Sequence, residues 1–360
     1  EHDELMAVIA DLKDILERVE RRMEIIKTEL LEVKERFGDD RRSTIEYSSA
    51  DLSIEDMIPD EQVVVTISHA GYIKRTRLAE YRAQGRGGVG SKGSTTREED
   101  FLESIFTATN HNWLLIFTAK GRCFWMRIFE VPEGSKQSKG RAIVNLINLE
   151  GDDKVLAYIP VKDLKDEEYV NGNYVILCTK KGLIKKTRLE AYSRPRSNGI
   201  NAVTIREGDE LLSARLTNGD SEIILGLRSG KAIRFHESTA RAVGRTAMGV
   251  KGVTLGGPKD EVIGMVCIVD ASSDILVVSE NGFGKRSAVD DYRITNRGGK
   301  GVKTLQVTDK TGELISILNV TDENDLMIIN KSGITIRMAV EELRVMGRAT
   351  QGVRLISLRG

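Results

Sequence analysis

The residues of this chain best suited to chemistry are the seven that run Gln84-Gly85-Arg86-Gly87-Gly88-Val89-Gly90. Glycine tolerates a positive φ and carries no side chain, so a run of them lets the main chain approach a ligand closely. An arginine among them can present a planar fork to phosphate oxygens. The segment contains the spacing GxGxxG, but a dinucleotide site needs those glycines between a buried strand and an apolar helix. Here Ser91-Lys92-Gly93-Ser94-Thr95-Thr96 follows, and Ser91-Lys92 is not the Lys-Ser/Thr of a P-loop. A phosphate-gripping loop and a plain flexible loop remain. No HExxH, GxSxG, Cys–His pair or acidic cluster spaced for Mg²⁺ is found, so no catalytic residue and no metal ligand is assigned.

The heptapeptide sits in the first of six repeats. In each, an apolar strand runs into a turn glycine and then into a strand with basic residues: TISHAGYIKRTRL around Gly71, IFTAKGRCFWMRI around Gly121 and LCTKKGLIKKTRL around Gly182. GLRSGKAIRF around Gly230, VVSENGFGKRS around Gly282 and IINKSGITIRM around Gly333 continue the series. The glycines are spaced by 50, 61, 48, 52 and 51 residues, the long interval reflecting an extra stretch near Lys162–Asn173. A second glycine follows roughly twenty residues later (Gly90, Gly140, Gly199, Gly249, Gly301, Gly352), then a short apolar strand, an acidic patch and another strand. About four strands per ~50 residues is the repeat of a propeller-like blade. The sixth repeat stops after its third strand. Residues 51–58 resemble the fourth-strand segment Glu313–Leu318 and are expected to complete that blade and close the disc, the alternative being an open spiral with an unpaired edge.

Before the repeats, Leu5, Ile9, Leu12, Leu16, Val19, Met23, Ile26, Leu30, Val33 and Phe37 alternate in steps of four and three. This heptad stripe predicts one helix of more than thirty residues, either a coiled-coil arm or a helix packed on its own domain. The expected domains are 1–42, helix and linker, and 43–360, the β repeats. The chain opens on Glu1 within the helical pattern and reads as a fragment of something longer. Cys123, Cys178 and Cys267 lie in or beside apolar runs, as buried reduced thiols of a cytosolic protein would. His2, His69, His111 and His236 are scattered. No apolar run reaches the ~20 residues of a membrane span.

The formal net charge is zero, composed of −6 over residues 1–40 (13 acidic, 7 basic) and +6 over the rest (41 acidic, 47 basic). Within the repeats, basic residues gather between the two glycines. Residues 71–97 hold Lys74, Arg75, Arg77, Arg82, Arg86, Lys92 and Arg97; residues 182–206 hold Lys185, Lys186, Arg188, Arg194, Arg196 and Arg206; residues 282–303 hold Lys285, Arg286, Arg293, Arg297, Lys300 and Lys303. Lys231 and Arg234 occupy the same phase in repeat four. Six such segments in phase predict a basic belt, a track for a polyanion bound through its phosphates. No recognition helix is evident, so base readout is not expected.

Six ~50-residue β repeats with a Q-x-x-G-G-x-G box in the first resemble the family of C-terminal domains found in the A subunit of DNA gyrase. Ile25–Leu30 and Phe37–Arg42 are similar to the end of the coiled-coil arm in that family and the linker beyond it. Val89 departs from the box, where a basic residue is common, and Lys92 stands nearby to compensate. Asn296-Arg297-Gly298-Gly299-Lys300-Gly301 is a partial second copy without the Gln. The resemblance implies a mostly β fold, a six-bladed β-pinwheel of four-stranded blades preceded by one long α-helix. It implies part of a bacterial type IIA topoisomerase that wraps duplex DNA on its basic rim with little sequence specificity. The implied partners are the rest of the gyrase A polypeptide, as a homodimer, and the gyrase B polypeptide, in the cytoplasm on the chromosome, with no membrane role. The cleaving tyrosine, ATP and Mg²⁺ belong to other parts of that enzyme, so no cofactor is expected in this fragment. The alternatives are the related C-terminal domain of topoisomerase IV and a protein-interaction propeller.

Overall fold

The computed structural model describes the chain except for residues 41, 44–53, 81–99, 101, 136, 269, 271, 330–334 and 358–360. Two compact units result, Glu1–Ser53 and Ile54–Gly360. In the first, the heptad pattern folds as two helices where one was expected: α1 (His2–Glu17) and α2 (Val19–Phe37). They part at Arg18, whose backbone is extended (φ −102°, ψ 117°). Ion pairs bridge the break, Arg18 Nε to Asp14 at 2.7 Å and Arg21 Nη2 to Asp11 at 2.8 Å. The apolar stripe stays exposed along both helices. An amphipathic helix takes most of its stability from packing that face, and without it nothing enforces continuity.

In the second unit the repeats form small antiparallel sheets. The hairpin strands are buried on both faces by neighbouring sheets, so they read as continuous apolar runs: Val63-Val64-Val65, Leu114-Leu115-Ile116-Phe117, Ile223-Ile224-Leu225. The core is a series of clusters, each shared by consecutive repeats; Val65, Ile67 and Ile73 of the first pack with Ile116, Phe124 and Ile128 of the second. Repeats two to five each supply four strands, as expected, but the last strand of each sheet comes from the following repeat. The first sheet runs Leu102–Thr109, Gln62–Ser68, Tyr72–Arg77, Arg141–Ala142, and its final strand comes from repeat two. Likewise Ile200–Asn201 pairs with Arg122–Arg127, Val250–Lys251 with Leu183–Arg188, Val302–Lys303 with Lys231–His236, and Val353–Arg354 with Phe283–Ala288. Each four-stranded sheet is thus finished by the following repeat.

Five sheets are built this way, and among the described residues the sixth repeat supplies the pair Asp325–Ile329 and Thr335–Ala339. The strands Leu102–Thr109, Val155–Val161, Leu211–Thr217, Val262–Ile268 and Leu314–Val320 all line one central opening. The long interval between repeats two and three holds a short helix, Glu167–Gly172, whose first turn is capped by Asp166 accepting from the Tyr169 amide at 3.0 Å.

The expectation that residues 51–58 complete the sixth blade is overturned for the described part. Ile54–Met57 is a 3₁₀ turn and pairs with no strand. Arg127, its guanidinium 4.5 Å above the Trp113 ring, pairs with Glu55. Asn110 Nδ2 donates to Pro59 O and the His111 amide to Asp60 Oδ1, both at 2.9 Å. These contacts hold the segment on the second sheet.

The second glycine of repeats two to six marks the junction where the short strand joins the preceding sheet. Gly249 has φ +91°, and a Cβ there would stand 2.5 Å from Ile184 O and 3.1 Å from Lys185 Cβ. A side chain is therefore excluded by both conformation and space. Gly257, with nothing within 4 Å of its would-be Cβ, is the matched control. Gly249→Ala is expected to cost about 2 kcal/mol or more, and Gly257→Ala less than about 0.5 kcal/mol. Denaturant unfolding of both variants measures the contrast, and equal midpoints would refute the junction's role.

Candidate nucleic-acid interface

The predicted basic residues divide into an inner layer and a rim. Three residues after the hairpin glycine stand Lys74, Lys185 and Lys285, each no more than 2% exposed. Their ammonium groups donate to main-chain carbonyls of later loops. Lys74 Nζ reaches Ser135 O at 3.0 Å and Ser138 O at 2.9 Å. Lys185 Nζ bonds Ala202 O and Arg245 O. Lys285 Nζ bonds Gly347 O at 2.8 Å and Arg348 O. One residue further on, the side chain reaches the 3₁₀ turn of the next repeat. Arg75 Nε donates to Val131 O at 2.9 Å, and Arg234 Nη1 to Val289 O at 2.8 Å and Tyr292 O at 2.9 Å. Arg286 Nη1 reaches Asp322 at 2.5 Å and Val340 O at 3.3 Å. Lys186 pairs at 2.9 Å with the fully buried Glu237, which also accepts from Thr217 Oγ1 and the Ser221 amide. Trp125 takes this place in repeat two, its indole donating to Tyr192 O at 2.9 Å.

Phosphate contact is therefore withdrawn for Lys74, Arg75, Lys185, Lys186, Arg234, Lys285 and Arg286. Their N–H groups are consumed in joining one repeat to the next, and the burial of all but the half-buried Arg75 leaves no face for a polyanion. A period-two pattern could not separate them from surface cations, because both hairpin strands are covered on both faces.

The rim retains the rest. Arg77, Arg188 and Lys300 are exposed, while Lys231 and Arg297 are half-buried. Arg77 pairs with Glu133 at 3.5 Å, and Arg188 lies 5.9 Å from the Tyr174 ring. Arg297 is anchored, its Nε donating to Thr239 O at 2.9 Å and Nη1 to Lys251 O at 3.1 Å. The box Gln84–Gly90, with Arg82 and Lys92, lies outside the described residues.

Counting backward from the junction glycine aligns Arg293 and Arg297, named above, with Arg241, Arg245, Arg344 and Arg348, which counting forward from the hairpin missed. Four before it stand Arg245, Arg297 and Arg348; eight before it stand Arg241, Arg293 and Arg344. Arg348 is held like Arg297, through Asp291 O at 3.0 Å and Lys303 O at 2.8 Å. Arg241, Arg293 and Arg344 are exposed, and their side chains make no hydrogen bond or ion pair among the described residues. In repeat three Arg194 and Arg196 occupy the corresponding loop and are likewise exposed and unpaired. Among the described residues no group of three or more His, Cys, Asp or Glu could hold a metal ion. The three cysteines are free, and Cys267 is partly exposed where all three were expected to be buried. Burial raises their thiol pKa values, that of Cys267 to about 12. No helix of the described residues is long and apolar enough to cross a membrane.

Small antiparallel sheets that share an edge strand with the next repeat around one opening define a propeller-like β-repeat protein, here with an arginine-bearing rim. A family model described as DNA gyrase C-terminal domain, beta-propeller, matches residues 62–109, 112–162, 173–218, 228–268, 273–321 and 324–360. The chain is 46% identical over 360 residues to the A subunit of DNA gyrase from Staphylococcus aureus strain Mu50, covering 99% of this chain and 40% of that protein. This chain belongs to the DNA gyrase C-terminal domain family. It spans about two fifths of the curated relatives it matches. Among solved structures it resembles a C-terminal domain of DNA topoisomerase IV, with TM-score 0.70 and 25% identity, covering 84% of this chain and 90% of that one. A DNA gyrase A C-terminal domain matches with TM-score 0.66 and 23% identity over 83% and 96%, a likeness of fold.

The inner lysines carry a measurable signature. Burial, with Arg245 nearby, lowers the pKa of Lys185 to about 7; burial, with Arg348 nearby, lowers that of Lys285 to about 8. The unfolded chain holds these protons up to the ordinary lysine value of 10.5. Between about pH 7 and 10 it thus binds more protons at these two lysines than the folded chain does, so their contribution to stability rises with pH across that window and is flat below it. Lys185→Ile removes its share, so the stability of wild type relative to the variant should rise from pH 7 to pH 10. A constant gap in denaturant unfolding would refute the assignment.

Proposed function

We propose that this chain is the DNA-wrapping part of the A polypeptide of a bacterial DNA gyrase, a six-bladed ring whose rim loops hold duplex DNA by its phosphates. The observation that carries this reading is the recurrence of Arg241, Arg293 and Arg344, exposed and unpaired, eight residues before successive junction glycines. One such loop per blade offers a duplex a regular series of cations, and guanidinium suits phosphate oxygens. The anchored Arg297 and Arg348 add cations whose positions are fixed in advance. Lys300, Arg188, Lys231 and Arg77 extend the same surface. The six matched segments support a sixth blade.

In this reading the box Gln84–Gly90, with Arg82 and Lys92, clamps the duplex at the first blade. Arg82 and Arg86 stand eight and four residues before Gly90, in phase with the rim arginines of the later repeats. Wrapping with positive handedness would present a nearby stretch of the same DNA for strand passage and give negative supercoiling. Cleavage, ATP and Mg²⁺ would belong to the rest of a gyrase A dimer and to the gyrase B polypeptide, in the cytoplasm on the chromosome. The likeness to a topoisomerase IV domain makes that enzyme the second reading, and 46% identity to a gyrase A polypeptide across nearly the whole chain favours the first.

Two measurements test the proposal. Duplex affinity should fall steeply with salt, and replacing Arg241, Arg293 and Arg344 together by alanine should lower the log–log salt slope by about 3, near 0.9 per lost phosphate contact. An unchanged slope refutes the rim. Alanine substitution of Gln84–Gly90 in a reconstituted enzyme should abolish supercoiling while leaving relaxation and simple DNA binding largely intact. Equal loss of all three would count against a clamp.

A further inference from the structure

We propose that the concavity between the rim loops of repeats three and four is a preformed seat for one phosphate group of a duplex, and that Lys185 is its positioning residue. The inference rests on the rim reading above. The concavity measures about 260 Å³ and is lined by Arg194, Arg196 and Arg245, with Ile200, Ala191 and Glu190. Three guanidinium groups against one carboxylate leave a net charge of +2 in a space suited to a small tetrahedral anion. Arg194 and Arg196 are exposed and free to turn toward it.

Arg245 closes the seat from the neighbouring repeat, and its backbone is fixed from behind. Its carbonyl accepts from Lys185 Nζ, which also holds Ala202 O. Thr204 Oγ1 donates to Thr246 O at 2.7 Å, and Arg245 Nη1 to Asn201 O at 3.4 Å. The loop carrying Arg245 is thereby laced to residues 201–204 before any ligand arrives.

The fold itself does not require a lysine at this place. Lysine occupies it in repeats one, three and five, as Lys74, Lys185 and Lys285, whereas repeats two, four and six carry Phe124, Ile233 and Ile336. Phe124 and Ile233 fill the position in complete four-stranded sheets. A buried amine that an apolar residue can replace in the same scaffold costs desolvation free energy, and its return lies in what it holds. Lys285 holds the Arg348 carbonyl as Lys185 holds that of Arg245. The pinned loops are those of repeats two, four and six, while in repeat three a Cβ at Gly199 would collide with the Phe124 ring.

The test measures affinity and salt slope of the 360-residue chain for a mixed-sequence duplex. Arg245→Ala is expected to weaken binding about three- to tenfold and to lower the slope by about 0.9, one phosphate contact. Lys185→Ile, which installs the residue of repeat four, should produce a similar loss, and the double variant should be no weaker than Arg245→Ala alone. Lys185→Ile combined with Arg293→Ala, in the loop of repeat five, should instead add. Lys185→Arg, which keeps donors on the carbonyls, should recover much of the affinity. Full additivity of Lys185→Ile with Arg245→Ala overturns the positioning role. Wild-type affinity and slope after joint loss of Arg194, Arg196 and Arg245, in a protein whose parent binds duplex, overturn the seat and leave the rim standing. Failure of the unmodified chain to bind duplex overturns the rim reading itself. Should Lys185→Ile not fold, the arginine variants and Lys185→Arg still decide.

Discussion

One hydrogen bond recurs along the repeat array: in repeats one to five the carbonyl of the hairpin glycine accepts from the main chain of the next repeat. Ile143 donates to Gly71, Ala202 to Gly121, Gly252 to Gly182, Thr304 to Gly230 and Leu355 to Gly282, all at 2.8 Å. The bond needs a glycine turn at one end and a short strand led by the junction glycine at the other. Where both are present, an edge that would otherwise template aggregation is covered by the following repeat. The acidic half of the repeat serves the same turn. Asp100, Asp153, Asp209 and Asp260 accept from the amides of Ala70, Lys120, Lys181 and Ser229 at 2.9 to 3.1 Å. Charge alternation along the sequence is thus partly a record of turn chemistry.

The hairpins, the glycine period and an insertion near Lys162–Asn173 were legible in the sequence, because each leaves a local mark: an apolar run, a positive-φ residue, a changed interval; that the insertion folds as a helix was not. The destination of the short strands was not. Ile200–Asn201 has the same two-residue signature whether it pairs within its repeat or with Arg122–Arg127 of the one before. The break at Arg18 was equally hidden, since the heptad stripe continues across it without a glycine or proline. Residues 54–57 misled for the opposite reason. The likeness of their segment to Glu313–Leu318 suggested a strand, but the pull of Arg127 on Glu55 is a tertiary fact.

The basic residues show where sequence reasoning about the interface divides. Lys74, Lys185 and Lys285 recur in phase, as a belt would require, but the same phase follows if each must reach a carbonyl of a neighbouring repeat. Recurrence reports equivalence of position and is silent on which way a side chain faces. The rim arginines are distinguished by the other reference point, the junction glycine, because their loop leads into the strand that it begins. Measured from there, Arg241, Arg293 and Arg344 align without a gap.

The two layers of cations are mechanically connected. Smoothly bending 20–30 base pairs of duplex through 40–90° costs of order 1–6 kcal/mol, and a rim that yielded under that load would lose the bend. Long exposed arginines on unsupported loops would yield. Here the loops of repeats four and six are tied through the carbonyls of Arg245 and Arg348 to lysines inside the sheets of repeats three and five. Arg348 is further fixed by the Asp291 and Lys303 carbonyls. The strain of a held duplex would then pass into the inter-repeat bonds, which the same hairpins use to assemble the array. A buried lysine that looks costly as a stabiliser of one sheet makes physical sense as the member that carries load from rim to core.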